Sequence, residues 1–173
     1  MAVVVAHEVP TSSSTMAVPH GPESVRTARR RLREDLGEHL VPEGVIDDAV
    51  LILSELLSNA CRHARPLERE RGLAAGLMGT LAEEQEEVLV GWELHSDGLL
   101  TVEVTDGGGP TRPRRSAPSL TARGGRGLGI VGQLASEWGV RDAPGEVTVW
   151  AVLRVRARHA RRDAEAETAA AAS

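Results

Sequence analysis

The stretch Val45 to Ala64, VIDDAVLILSELLSNACRHA, constrains the fold more than any other. Ile46, Val50, Leu53, Leu57 and Ala60 recur at spacings of three and four, so a helix here carries an apolar stripe that must face a core. Glu55, Asn59 and Arg62 recur at the same spacings and make a second stripe of hydrogen-bonding side chains. Ser58, Asn59 and His63 sit where a surface helix usually mixes simple charges, and Asn is a poor residue in mid-helix. A carboxylate one turn before a carboxamide suits holding a hard cation and orienting a water or hydroxyl. On this helix alone, a solvated face remains the plainer reading.

The rest of the chain must supply the core that this stripe needs. At 173 residues it is long enough for one domain with tails. It has no Phe, no Tyr and only three Trp, so aliphatic side chains build the interior. Every one of the twenty basic residues is Arg. Without Lys there is no Walker-type phosphate lysine, no protein-kinase strand lysine and no Schiff base. A net charge of −5 argues against nucleic acid as a partner. The single cysteine, Cys61, permits no internal disulfide; inside the helix it reads as a small buried hydrophobe. No apolar run approaches a membrane span or a signal-peptide core, and the expected location is the cytoplasm.

Taken in order, Met1 to Pro19 reads as a flexible arm with one short strand near Met16 to Val18. A helix follows from Pro22, with Ala28, Leu32 and Leu36 on its buried side and Arg29, Arg30, Arg31 and Arg33 on a solvated face beside Glu34 and Asp35. After the organising helix, Arg65 to Glu87 exceeds an ordinary connection. Val88, Val90, Trp92 and Leu94, then Leu100, Val102 and Val104, alternate around Ser96-Asp97-Gly98 and predict an antiparallel hairpin. Gly107 to Gly125 is rich in Gly, Pro and Arg and has the character of a lid or binding loop. Gly127 to Trp138 reads as a helix burying Leu128, Val131, Leu134, Ala135 and Trp138. Val140 and Val147 to Leu153 close the domain with a hairpin through Ala143-Pro144-Gly145-Glu146, and an Arg/Ala/Glu tail follows. The order helix, helix, hairpin, loop, helix, hairpin predicts an α+β, two-layer α/β sandwich: a mixed, mostly antiparallel sheet with its helices on one face.

Three pieces then carry chemistry. Glu55 and Asn59 are the first. Asp106, at a strand's end before Gly107, Gly108 and Gly109, is the second. Gly124-Gly125-Arg126-Gly127-Leu128-Gly129, at a helix start, is the third. Amides at a helix N-terminus attract anions, and glycines let a phosphate approach the backbone. One Asn oxygen suffices as a protein ligand for Mg²⁺, which keeps water and phosphate ligands. Asp106 would accept from an exocyclic amine such as that of adenine. Each piece alone has a plain reading, a turn or a packing glycine. Gly127-Leu-Gly129-Ile-Val-Gly132 formally matches a dinucleotide fingerprint, but no strand immediately precedes it and no parallel crossover surrounds it.

Together the three pieces resemble the Bergerat-fold, histidine-kinase-like (GHKL) ATPase domain over about His20 to Arg156. Glu55-Leu-Leu-Ser-Asn59-Ala resembles the family's N box, Asp106-Gly-Gly108 its first glycine box, and Gly125-Arg-Gly127-Leu-Gly129 its second. Arg62-His63-Ala64 and Glu137-Trp138-Gly139-Val140 are most similar to the stand-alone anti-sigma serine kinases of the RsbW and SpoIIAB type, a group numerous in actinobacteria. The resemblance implies an ATPase domain over 20–156, between flexible segments 1–19 and 157–173, with an ATP lid near 107–125 and an insertion near 66–87. It implies Mg²⁺ on Asn59, adenine on Asp106, and base and phosphate sites shaped by Gly108, Gly125, Gly127, Leu128 and Gly129. Glu55 would be the general base, and Arg123 or Arg126 the arginine nearest the phosphates. The implied activity is γ-phosphate transfer from ATP to a serine of an anti-anti-sigma protein; the alternative is a non-catalytic ATP-binding regulator that sequesters a partner such as a sigma factor. Homodimerisation is left open. Two departures stand out: Pro110 falls where the second glycine of the first glycine box belongs, and the 66–87 segment is longer than the subgroup's usual connection.

Overall fold

The structure is a computed structural model and describes residues 10–67, 86–109 and 126–155. Its sheet is built outward from the central hairpin. Strand β2 (Glu87–His95) and strand β3 (Leu99–Asp106) pair antiparallel, with Val90 opposite Val104 and Leu94 opposite Leu100. The turn between them closes with Gly98 at φ +82°, a backbone shape that favours glycine, while the Leu99 amide donates to Asp97 Oδ1 at 2.9 Å. Strand β5 (Glu146–Arg154) lies on the other side of β3, and β4 (Glu137–Ala143) pairs with β5 through the expected turn, where Gly145 has φ +77°.

With strand β1 (Pro10–Pro19) at the edge, the strand order is β1-β2-β3-β5-β4, and every pairing among the described strands is antiparallel. Period-two alternation puts Val88, Val90 and Trp92 of β2, Leu100, Val102 and Val104 of β3, and Val149, Ala151 and Leu153 of β5 into the interior. Helix α1 (Glu23–Glu38) contributes Ala28, Leu32 and Leu36 to that core. Helix α2 (Glu43–His63) contributes Ile46, Val50, Leu53, Leu57 and Ala60, all five members of its apolar stripe, together with Val45, Ala49, Ile52 and Leu56. Helix α3 (Arg126–Leu134) packs on α2 and adds Val131. The result is the two-layer α+β sandwich that the element order predicts, and its aliphatic interior follows from the missing aromatics.

Three details differ from expectation. Strand β1 runs over Pro10–Pro19, well beyond the short strand near Met16 to Val18, and it pairs with β2 along that length. Its Ser and Thr run gives no apolar signal because β1 is an edge strand, with Ser13, Thr15 and Ala17 exposed. Helix α3 ends at Leu134, so Trp138 belongs to β4 opposite Ala151; the Ser136 amide already donates to the Val152 carbonyl at 2.8 Å. The spacing of Leu134 and Trp138 imitates one more helical turn. Asp35, expected on the solvated face, is only 8% exposed. Its Oδ2 accepts the Trp92 indole N–H at 2.6 Å, so the one polar atom of the largest core side chain is satisfied by a carboxylate on the facing helix.

Beyond Arg65 and Pro66, the 66–87 insertion has its two ends joined: Leu67 and Glu87 form an antiparallel bridge, with the Leu67 amide donating to the Glu87 carbonyl at 2.8 Å. Residues 68–85 of that insertion, residues 1–9 of the arm and the tail from 156 lie outside the described residues.

Candidate functional site

The site is organised by the end of α2. Helix α2 stops at His63, and Ala64 turns extended at φ −108° and ψ 163°. The chain that follows runs against the turn after β3: the Arg65 amide donates to the Gly108 carbonyl at 2.8 Å, and the Gly107 amide returns a bond of 2.8 Å to the Arg65 carbonyl. The glycines are what permits this contact. A Cβ on Gly107 would strike the Pro66 carbonyl oxygen, and one on Gly109 would strike that of His63. Gly108 has φ +76°, in the left-handed region. These three glycines therefore serve backbone-to-backbone packing between two segments that are distant in sequence.

Asp106 ends β3 on the interior face and is 6% exposed. Its Oδ1 accepts the Gly108 amide at 2.7 Å, which fixes the carboxylate over the glycine turn. No hydrogen bond to its other oxygen is formed among the described residues, and since no buried side-chain oxygen there is unsatisfied, that oxygen is open to solvent. Burial pushes the Asp106 carboxyl above the usual carboxylate range, while the Gly108 N–H and the neighbouring His20 pull it back. A carboxylate placed where it is partly desolvated and half-satisfied is ready for a donor from outside the chain.

On α2, the row Glu43, Asp47, Leu51, Glu55, Asn59 advances by about 40° per four-residue step. Its first three members are exposed; Glu55 and Asn59, as the row turns inward, are half-buried. Neither the Glu55 carboxylate nor the Asn59 carboxamide makes a hydrogen bond or ion pair among the described residues. Arg62 and His63 are exposed. The Cys61 thiol donates to the Gly21 carbonyl at 3.5 Å, and burial raises its pKa, so it is held as the neutral, unreactive thiol.

Helix α3, which carries Gly127 and Gly129 of the second glycine cluster, packs against α2. Leu128 packs against the core, whereas a Cβ on Gly129 would meet nothing within 4 Å. Among the described residues, no packing demand accounts for glycine there. Arg126 and Gly127 open the helix. Arg123, Gly125 and the lid residues from Pro110 onward lie outside the described residues. Backbone hydrogen bonds thus join the chain just after α2 to the Asp106 turn, and helix α3 packs against α2.

This donor set fits a purine nucleotide: one carboxylate oxygen for an exocyclic amine, and a helix start where, among the described residues, space is left at Gly129. It also fits Mg²⁺ carried in with phosphate. Among the described residues no three His, Cys, Asp or Glu side chains gather as a metal cage, and Asn59 offers a single oxygen. Mg²⁺ characteristically takes few protein ligands and completes its shell with phosphate and water.

One residue of this region carries no sequence signal. His20, between β1 and α1, places Nε2 at 3.2 Å from the Ala60 carbonyl and 3.1 Å from the Ala64 carbonyl, across the last turn of α2. It lies outside every periodic run and every motif.

A family model described as the histidine kinase-like ATPase domain matches residues 18–153. Among solved structures, the chain is similar to the RsbU and RsbW domains of Rv1364c from Mycobacterium tuberculosis, with 23% identity and a TM-score of 0.58 over 84% of this chain. It spans 32% of that protein's chain. It is also similar to the SiaB-SiaC complex from Pseudomonas aeruginosa, at 16% identity and a TM-score of 0.54, covering 81% of this chain and 88% of that one. At these identities the likeness is one of fold. No curated protein sequence matches. Among the described residues, no helix is long and apolar enough to cross a membrane.

Proposed function

Since the chain belongs to the histidine kinase-like ATPase domain family, we propose that it binds ATP between α2, the Asp106 turn and α3 and transfers the γ-phosphate to a serine or threonine of a partner protein, as an anti-sigma-type kinase. The observation that carries this reading is the close packing of the α2 end on Gly107–Gly109, which gathers the N-box helix and the adenine-type carboxylate into one region.

In this reading Asp106 accepts the adenine amine through Oδ2, while Gly108 keeps Oδ1 in place. Gly125, Gly127 and Gly129 shape the phosphate site, Leu128 anchors α3 in the core, and Arg123 or Arg126 supplies positive charge that no Lys can. Asn59 would hold Mg²⁺, which when bound would supply charge neutralisation to the phosphates. Glu55, one turn before Asn59 and without a partner among the described residues, accepts the proton from the partner's hydroxyl. As that oxygen bonds to the γ-phosphorus, the bond from phosphorus to the β,γ-bridging oxygen breaks and ADP leaves with the electron pair. Positioning and electrostatics contribute most of the catalysis in such a transfer. A partner of the anti-anti-sigma or sigma-factor class fits the SiaB-SiaC and RsbW likenesses, and the cytoplasm fits such a partner.

The test is phosphoryl transfer from [γ-³²P]ATP to a panel of candidate anti-anti-sigma proteins by wild type and Glu55→Ala. Transfer by wild type, with Glu55→Ala retaining ATP binding but losing label transfer, is the expected result. Tight ATP binding with no transfer by wild type to any member would leave a sequestering regulator in place of a kinase.

A further inference from the structure

We infer that His20 is a positioning residue of the nucleotide site, acting through the end of α2 and making no ligand contact of its own. The inference rests on the nucleotide-binding reading above and extends it to a part of the chain that no motif reaches.

The geometry starts from what a helix end lacks. At the end of α2 the Ala64 amide still donates to the Ala60 carbonyl at 3.0 Å, but the chain leaves the helix extended at Ala64, so no left-handed glycine cap follows to bind the carbonyls beyond. His20 adds a donor from a remote segment, as a second bond to Ala60 and a bond to the cap residue Ala64. Two carbonyl oxygens lie at 3.2 and 3.1 Å from Nε2 and can only accept, so Nε2 carries the proton and shares it between Ala60 and Ala64. The imidazole is itself anchored: the His20 amide donates to the Glu86 carbonyl at 2.8 Å, beside the start of β2, and the ring is half-buried. A donor fixed to the sheet thus grips the α2 terminus at the exact turn after which the chain meets the glycine box.

The next links are short. One residue beyond Ala64, Arg65 exchanges both backbone hydrogen bonds with Gly107 and Gly108. Gly108 in turn donates to Asp106 Oδ1. From His20 to the Asp106 carboxylate the path is therefore hydrogen bond, one peptide step, hydrogen bond pair, hydrogen bond. Gly107 and Gly109 already stand at the closest approach that a backbone allows, so a shift of the α2 end is passed to the glycine turn without slack. His20 is also close enough to Asp106 for its charge to favour the ionised carboxylate. Asn59 immediately precedes Ala60, so the same grip sets the azimuth of the carboxamide proposed for Mg²⁺.

The experiment compares wild type with His20→Ala, His20→Asn and His20→Gln, measuring the ADP dissociation constant by calorimetry and melting by circular dichroism, with binding recorded well below every midpoint. Gln places an amide N–H at about the reach of Nε2, whereas Asn falls short. The expected result is ADP affinity weakened about tenfold in His20→Ala and His20→Asn and held within about threefold of wild type in His20→Gln, the scale of one hydrogen bond left unmade. Should His20→Ala not fold, the Asn and Gln pair carries the comparison. Equal ADP affinity in Asn, Gln and wild type, whatever the melting midpoints, would overturn the positioning role; so would a loss in Gln as large as in Asn. Failure of wild type itself to bind ADP would instead overturn the nucleotide-binding reading on which the inference rests.

Discussion

Gly107 and Gly129 are glycine for opposite reasons, and alanine substitution separates them. At Gly107 a new Cβ would strike the Pro66 carbonyl, on backbone that is tied down by reciprocal bonds with Arg65. Forcing a methyl into so close a contact costs about 1–3 kcal/mol, and each of the two bonds it strains contributes about 0.5–1.5 kcal/mol. Gly107→Ala should therefore destabilise by roughly 2–4 kcal/mol, which for a domain of this size lowers Tm by about 6–15 °C. At Gly129 a Cβ meets nothing within 4 Å, and the position lies inside α3. There Ala should stabilise by about 0.5–1 kcal/mol through helix propensity. If the space above Gly129 is reserved for nucleotide, the same change should weaken ADP at least tenfold. Thermal melts of both variants, each with and without saturating Mg-ADP, read all of this together. A Gly129→Ala protein that is less stable than wild type, or that binds ADP equally well, would refute the assignment of that glycine to a ligand.

The Asp106 carboxyl is raised by burial, so in the folded state its contribution to stability is full at low pH and is lost as pH rises through the carboxylate range. Asp106→Asn keeps an oxygen for the Gly108 amide; without ligand, its stability relative to wild type should increase from pH 3 towards neutrality and then level off, as followed by urea denaturation. Leu40 is 88% exposed at φ +56°, in the C-terminal cap of α1 where the Leu40 and Val41 amides return to Gly37 and Leu36. Glycine is the usual residue in that cap, and Leu40→Gly should raise stability by about 0.5–1 kcal/mol, visible as a higher urea midpoint at unchanged m-value. Trp92→Phe preserves most of the apolar bulk but leaves Asp35 Oδ2 without its indole donor. It should cost about 2–4 kcal/mol, and pairing it with Asp35→Leu should recover part of that loss in a double-mutant cycle.

Most of the architecture was legible because burial writes a period into the chain. The stripe Ile46, Val50, Leu53, Leu57, Ala60 and the alternation through β2, β3 and β5 each report one buried face; all of the stripe and most of the alternating residues are core, while Leu94 and Val147 are half-buried. Legibility fails where that cause is absent. Strand β1 is held by backbone pairing at the sheet edge, with side chains that alternate between half-buried and exposed, so its Ser/Thr run reads as an arm. Trp138 continues the helical spacing of α3 by coincidence, and only its pairing with Ala151 places it on β4. Asp35 reads as solvated because nothing local announces that Trp92, far along the chain, needs an acceptor. At the candidate site, Asp106 and its glycines stood out as residue types, but their reason for being glycine, the backbone of His63 to Pro66, is a tertiary fact. His20 was silent for the same reason: its partners are carbonyls, which every residue has.

The central claim is that the end of α2, the Asp106 turn and the start of α3 make one nucleotide site. Calorimetric titration of wild type, Asn59→Ala and Asp106→Ala with ATP and with ADP, each with and without Mg²⁺, tests it most directly. The account predicts that Asp106→Ala loses affinity for both nucleotides alike, while Asn59→Ala loses only the part that Mg²⁺ adds. Wild-type affinity for ADP in Asp106→Ala would contradict it.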